Sequence, residues 1–332
     1  MFASRSAKIA VLIGAAVFGL FTGATRAAEP LKIGYSDWPG WVAWEVAVQK
    51  GWFKDAGVDV EFKWFDYAPS LDAFSAGKVD AICVTNGDAL GVGEAGKPST
   101  CIVINDYSNG NDMIVARPGI SSVADLKGKK IGVELGLVDH LLLLKALEKS
   151  GLTDADVTLK GMATTETPQA LQSKGVDAIA AWQPNSGNAL RQVPGSTTIF
   201  SSKDLPGLIY DGLYVSRDNL AAHKDEWAKV VKIWFKCVAY INDPATQDDA
   251  VKIMAARDGL TPEQYKAFLS GTKLHDLDMD LKALMPGDGL DSIYGSSKIV
   301  DKFNLDHGVY KSNKLQFNDG YIDPSFVKAL KP

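Results

Sequence analysis

Histidine and cysteine are scarce in this chain, four and three among 332 residues, and that scarcity removes much catalytic chemistry. Cys83, Cys101 and Cys237 form no C-x-x-C pair and no metal-ligand spacing. No second His or Cys is spaced to help His140 hold a metal. There is no G-x-S-x-G elbow, no H-E-x-x-H and no P-loop. His223, His275 and His307 fall in the C-terminal part, so a His-based acid–base pair is hard to assemble. Basic charge is lacking too: 35 Lys and Arg face 40 Asp and Glu, a formal net charge of −5. Such a balance leaves no electrostatic footprint for nucleic acid or anionic lipid. No cofactor, no metal and no nucleic-acid partner is expected.

Long apolar runs are equally few. The main one, Ile9 to Phe21, follows Arg5 and Lys8 and leads through small residues to Ala27-Ala28. That layout is a secretory signal peptide over residues 1–28. A retained anchor would need roughly 20 apolar residues. No Cys stands at the junction, which argues against lipid attachment and for a free periplasmic protein. Losing Arg5, Lys8 and Arg26 with the leader takes the net charge from −5 to −8. Outside the cytoplasm Cys83 and Cys101 could pair, but both lie in apolar runs (AICVTN and TCIVIN), which suit buried free thiols as well.

What the chain does contain is a repeated strand–helix rhythm. Leu31–Tyr35, Val58–Phe65, Val79–Val84 and Cys101–Asn105 read as strands. Helices are expected over Trp41 to Phe53, Pro69 to Ala76 and Asp88 to Ala95. The rhythm restarts with Ile131–Val133, a helix from Val138 to Ser150, Val157–Leu159 and a helix over Thr167–Lys174. The wording Ser75-Ala76-Gly77-Lys78-Val79-Asp80-Ala81-Ile82 is answered by Ser173-Lys174-Gly175-Val176-Asp177-Ala178-Ile179, which points to two lobes of one plan. The fold class is therefore α/β, with mostly parallel sheets flanked by helices. The first lobe is expected over 29–112 and 212–332, the second over 113–211. Leu205 to Val215 recrosses between them, and the helical region from Asn219 onward packs on the first lobe.

In order and spacing, three phrases stand out: KGWFKDAGVDV at 50–60, SVADLKGKKIGV at 122–133 and LLLKALEKSGL at 142–152. With them the chain resembles the periplasmic binding proteins of nitrate/sulfonate/taurine-type ABC transporters, along nearly all of its mature length. The resemblance implies the type II periplasmic-binding fold, two lobes joined by crossover strands that close on a solute. It also implies permease and ATPase subunits as partners, and a monomer.

Ligands of open α/β sheets bind outside the carboxyl ends of the strands. That rule selects Asp37, Trp38 and Trp41 after the first strand, and Thr85, Asn86 and Asp88 after the third. Asp106, Asn109 and Asp112 follow the fourth strand. The second lobe offers Leu137 and His140, then Trp182 and Gln183; the return crossover offers Tyr210 and Asp211. Each has a structural alternative. Asp37, Asn86 and Asp88 could cap helices, and Asp106 and Asp112 could merely flank a turn at Asn109-Gly110-Asn111. Trp38, Trp41 and Trp182 could be core, and His140 structural.

No Arg or Lys falls in this set, whereas a cleft for nitrate or sulfonate needs donors. The nearest bases, Arg117 and Arg191, lie outside the strand-end loops. Carboxylates with indole rings suit a small cation or an N–H-rich planar solute. The DWPGW turn and the TNGD segment look like the branch found with urea- or guanidine-degrading carboxylases, which implies guanidine first and urea-like amides next. The alternatives are an anion held by backbone amides at Gly87 and Gly136, a receptor-linked sensor, and an enzyme resembling the thiamine-pyrimidine synthases. The last departs from this chain, which lacks their cysteine cluster.

Overall fold

A computed structural model describes residues 29–311 and 320–331; the expected leader at 1–28 lies outside the described residues. Within them the strands are β1 (Leu31–Tyr35), β2 (Val60–Trp64), β3 (Ala81–Thr85), β4 (Ser99–Ser108), β5 (Asp112–Ala116), β6 (Lys130–Val133), β7 (Thr158–Gly161), β8 (Ala178–Trp182), β9 (Thr197–Ser201), β10 (Tyr210–Ser216) and β11 (Thr272–Leu274). They form two sheets, ordered β11-β4-β10-β3-β1-β2 and β7-β6-β8-β5-β9. Each sheet has a parallel trio, β2-β1-β3 or β7-β6-β8, extended by an antiparallel strand, β10 or β5, that follows a crossing from the other sheet. β10 returns to the first sheet between β3 and β4, and β5 enters the second between β8 and β9. The chain thus crosses between the sheets twice.

The repeated Val-Asp-Ala-Ile wording has a physical meaning. Asp80 accepts the Lys32 backbone N–H at 2.8 Å, and Asp177 accepts that of Lys130 at 2.9 Å. Each returns its own backbone N–H to the same lysine's carbonyl at 2.8 Å. The two aspartates therefore close the opening end of the central parallel strand in each sheet, where a backbone donor would otherwise lack a partner. Their carbonyls then receive the crossover strands: Ser216 N–H reaches Asp80 and Arg117 N–H reaches Asp177.

Two expectations are corrected locally. Trp41 to Phe53 is not one helix but three short ones, Pro39–Val42, Trp44–Gln49 and Trp52–Asp55, with Gly51 at φ +69 separating the last two. The outgoing crossover strand β5 was hidden in sequence, because its Asp112 start adjoins an Asn-Gly-Asn turn. The three cysteines are free and buried. Since β10 lies between β3 and β4, Cys83 and Cys101 sit two strand spacings apart, about 9–10 Å. A disulfide reaches only about 7 Å between Cα atoms.

The C-terminal helices complete the first body. Trp44, fully buried, meets Trp234 of the helix Lys224–Asn242 at 4.7 Å between ring centroids, with Phe53 and Phe62 beside it. The helix Ile293–Asp306 docks on Asn86–Glu94, where Asn86 donates to Ser296 and Ser297. No helix of the described residues is long and apolar enough to cross a membrane.

Candidate functional site

The carboxyl ends of the two parallel trios face each other. Between them lies a cavity of about 220 Å³ lined by Trp38, Trp41, Tyr67, Thr85, Asp112, Val138, Trp182, Ile209 and Asp211. A neighbouring cavity of about 240 Å³ shares Thr85, Val138 and Ile209 and adds Asn86, Asp88 and Leu137. No Lys, Arg or His lines either one.

Indole and phenol rings make the walls. Trp41 stacks on Tyr67 at 5.4 Å, Tyr67 meets the edge of Trp182 at 5.2 Å, and Trp38 lies edge-on to Trp41 at 6.4 Å. Trp38 is fixed by its indole N–H, which donates to Asp106 at 3.1 Å. Gly40 makes that possible. A Cβ there would come within 1.8 Å of Asp106 Oδ2 and 2.8 Å of Trp38 Nε1. Gly40→Ala is therefore expected to lower stability by about 1–3 kcal/mol through overpacking, read by urea denaturation. Gly91→Ala is the control: nothing lies within 4 Å of its Cβ position, so removing a mid-helix glycine should stabilise by roughly 0.5–1 kcal/mol.

Carboxylates supply the polar part. Asp106 on β4 and Asp211 on β10 are register partners, and their carboxyl groups hydrogen-bond to each other. On the other side Asp112 on β5 is bonded in the same way to Asp139, in the first turn of the helix Val138–Lys149. Asp112 and Asp211 are 2% and 1% exposed and both line the cavity; Asp112 Oδ2, Asp211 Oδ2 and both Asp139 oxygens meet no N–H or hydroxyl donor. Burial, reinforced by neighbouring carboxylates, holds Asp106, Asp139 and Asp211 well above the ordinary aspartate range. Burial also pushes Asp112 up to about 7 and Glu134 up to about 7.

Other carboxylates join the two bodies directly. Asp37, after β1, accepts from Trp182 Nε1 and Asn185 Nδ2, each at 2.9 Å. Asp88 accepts from the Tyr67 hydroxyl at 2.7 Å and from the backbone N–H of Val138 at 3.3 Å. Burial raises Asp88 to about 6 against those bonds. These contacts span the two sheets, so the structure is a closed form.

Of the residues selected from sequence, Trp38, Trp41, Thr85, Asp112, Trp182 and Asp211 line the first cavity, and Asn86, Asp88 and Leu137 the second. Asp106 stands directly behind Trp38 and Asp211. Asp37 commits both oxygens to the opposite body. The rest point elsewhere. Asn109 donates its N–H to the Gly271 carbonyl, Gln183 Oε1 accepts from Gly187, and the Tyr210 hydroxyl donates to the Leu290 carbonyl. His140 accepts the Gly136 N–H at 3.1 Å and abuts Phe303, and burial lowers its pKa. Sequence reading passed over Tyr67, Ile209 and Val138. Tyr67 follows β2, and applying the strand-end rule to that strand would have found it. Ile209 lies next to selected residues but carries no polar group to draw attention.

A pair of doubly wound sheets with two crossover strands and a cavity at their facing edges defines the type II periplasmic-binding fold. The NMT1/THI5-like family model matches residues 39–247, and the chain belongs to that family. A relative from Brucella abortus (strain 2308), whose name says binding protein and specifies no solute, is 32% identical over 203 residues. That match covers 60% of this chain and 63% of the relative, less than two thirds of its length. Among solved structures, the alkanesulfonate-binding protein SsuA from Xanthomonas axonopodis pv. citri, bound to MOPS, superposes with a TM-score of 0.71 at 20% identity, covering 86% of this chain and 96% of that one. A ligand-binding component of an ABC-type import system from Staphylococcus aureus gives 0.75 at 16% identity, covering 90% and 98%. These likenesses agree with the resemblance to nitrate/sulfonate/taurine-type binding proteins.

Proposed function

We propose that the protein is the periplasmic solute-binding component of an ABC importer, closing on a small cationic or N–H-rich planar solute, guanidine first and urea-like amides next. The observation that carries this reading is the pair of buried carboxyl groups from opposite bodies, Asp112 and Asp211, lining an aromatic cavity without a basic residue. An unpaired buried carboxylate costs several kcal/mol. A cation supplies the missing partner through charge-assisted hydrogen bonds, and the ring faces add roughly 0.5–2 kcal/mol. Oxygens from opposite bodies give such a solute more contacts in the closed state than in the open one, which is what drives closure.

The anion alternative has support from the sulfonate ligand of a structural neighbour, but the local chemistry opposes it. A helix N-terminus is a seat for anions; here the Val138 N–H is taken by Asp88 and the Gly136 N–H by His140. Arg117 donates to the Leu171 carbonyl and Arg191 to Asn188, both away from the cavity. Isothermal titration calorimetry separates the readings. Guanidinium is expected to bind with a Kd at or below the micromolar range, while taurine and nitrate give no heat. Tight binding of taurine or nitrate with none of guanidinium would reject the cation reading. Co-purification with a permease, rather than a receptor kinase, is the expected result for the importer role.

A further inference from the structure

Resting on the cation reading, we propose that solute capture is an exchange: the two aspartate pairs each share a proton while the cavity is empty, and the entering cation expels about one proton to solvent. The geometry behind this is the pairing itself. Each body contributes two buried carboxyl groups bonded to each other, Asp106 with Asp211 and Asp112 with Asp139, and one carboxyl can donate to another only while it carries a proton. Each pair also has one member, Asp211 or Asp112, that lines the cavity. Two like charges held so close in a buried site do not both ionise. A cation with N–H groups on two edges changes that balance. The carboxyl O–H bond breaks, the proton leaves to buffer, and N–H···O⁻ contacts replace it.

The surrounding groups reinforce the retention of protons. Asp88, at the start of the helix after β3, adds repulsion to both Asp112 and Asp211. Glu134, after β6, adds it to Asp139. From the other elements come Trp38, which donates to Asp106, Ser108, which bonds Asp112, and the neutral Tyr67 and Thr85. Cys83 on β3 and Tyr265 of the C-terminal region are neighbours whose own ionisation is pushed up by burial. None of these groups is a base that would compensate the carboxylates.

Folding raises these carboxyl groups, so the empty site keeps its protons up to about pH 7 for Asp112, and a bound cation lowers the same groups. Affinity for guanidinium should therefore rise with pH, by up to about tenfold per unit between about pH 5 and 7 for one linked proton, and level off above. Calorimetry at about pH 6 in buffers of different ionisation enthalpy is expected to show release of about one proton per guanidinium bound. Asp139→Asn, which leaves the cavity-lining oxygens in place, should reduce the released proton count and flatten the pH profile; a merely structural residue would change Kd alone. Circular dichroism melting verifies that the variant is folded. Guanidinium binding with no proton release and a flat pH profile would overturn the exchange and leave the cation reading standing. No guanidinium binding at any pH would remove the cation reading itself.

Discussion

Asp211→Asn is expected to weaken guanidinium binding by about 150- to 5,000-fold while leaving the empty protein at least as stable as the parent. The substitution preserves shape, and the amide can still bond to Asp106 across the β10–β4 register. What it removes is the carboxylate that a bound cation would pair with, on a side chain that is 1% exposed and lines the cavity. Deleting one member of a buried ion pair costs about 3–5 kcal/mol, which corresponds to that loss of affinity. In the absence of solute the effect reverses. The carboxyl group of Asp211 is held well above its ordinary range by burial and by Asp106, so a neutral amide relieves repulsion. Titration calorimetry and thermal melting on the same preparation test both halves. A variant that loses stability and keeps affinity would show that Asp211 is a structural residue.

Trp182→Ala is expected to lower affinity by about 100-fold through two losses at once. The indole is 4% exposed and forms a cavity wall against the edge of Tyr67. Its N–H is also one of the two donors that hold Asp37 from the opposite body. Truncating a buried Trp at a binding centre typically costs 2 kcal/mol or more, and here a carboxylate loses half its partners as well. Asp37→Ala should weaken binding by a smaller factor, since Asp37 reaches the solute only through closure. The double variant should then fall short of the product of the single effects, because residues in direct contact couple by about 0.5–3 kcal/mol. Strict multiplicativity in calorimetric Kd values would mean that the Asp37–Trp182 bond contributes nothing to closure. Trp182→Phe, which keeps a ring and loses the N–H, should fall between parent and Ala.

Much of the architecture was legible because its signals are short-range. Gly77 and Gly151, at φ +69 and +72, stop helices where the sequence shows them. The Val-Asp-Ala-Ile phrase recurs because each sheet needs the same aspartate at the same strand opening. The strand-end rule located nine of the fifteen selected residues in the paired cavities, since a side chain's position after a strand is a local property. The misses are short or mixed in character. The helix-like stretch after Pro39 breaks into three turns, and β11 has three residues, too few for any periodicity.

The sequence by itself determined a two-sheet α/β chain whose facing loops are rich in Asp and Trp and poor in bases. Only the tertiary structure decided which of those polar groups are committed to distant partners and which line the cavity. Asp37 is satisfied by partners 145 and 148 residues away, Asn86 by serines 210 and 211 residues away, and Asp88 by an amide 50 residues on. Asp112 and Asp211 carry the same functional group as Asp37 and Asp88, yet each is bonded to another carboxyl group and lines the cavity. The difference is one of hydrogen-bond geometry within a few ångströms, set by how the two bodies close together, and no local pattern along the chain encodes it.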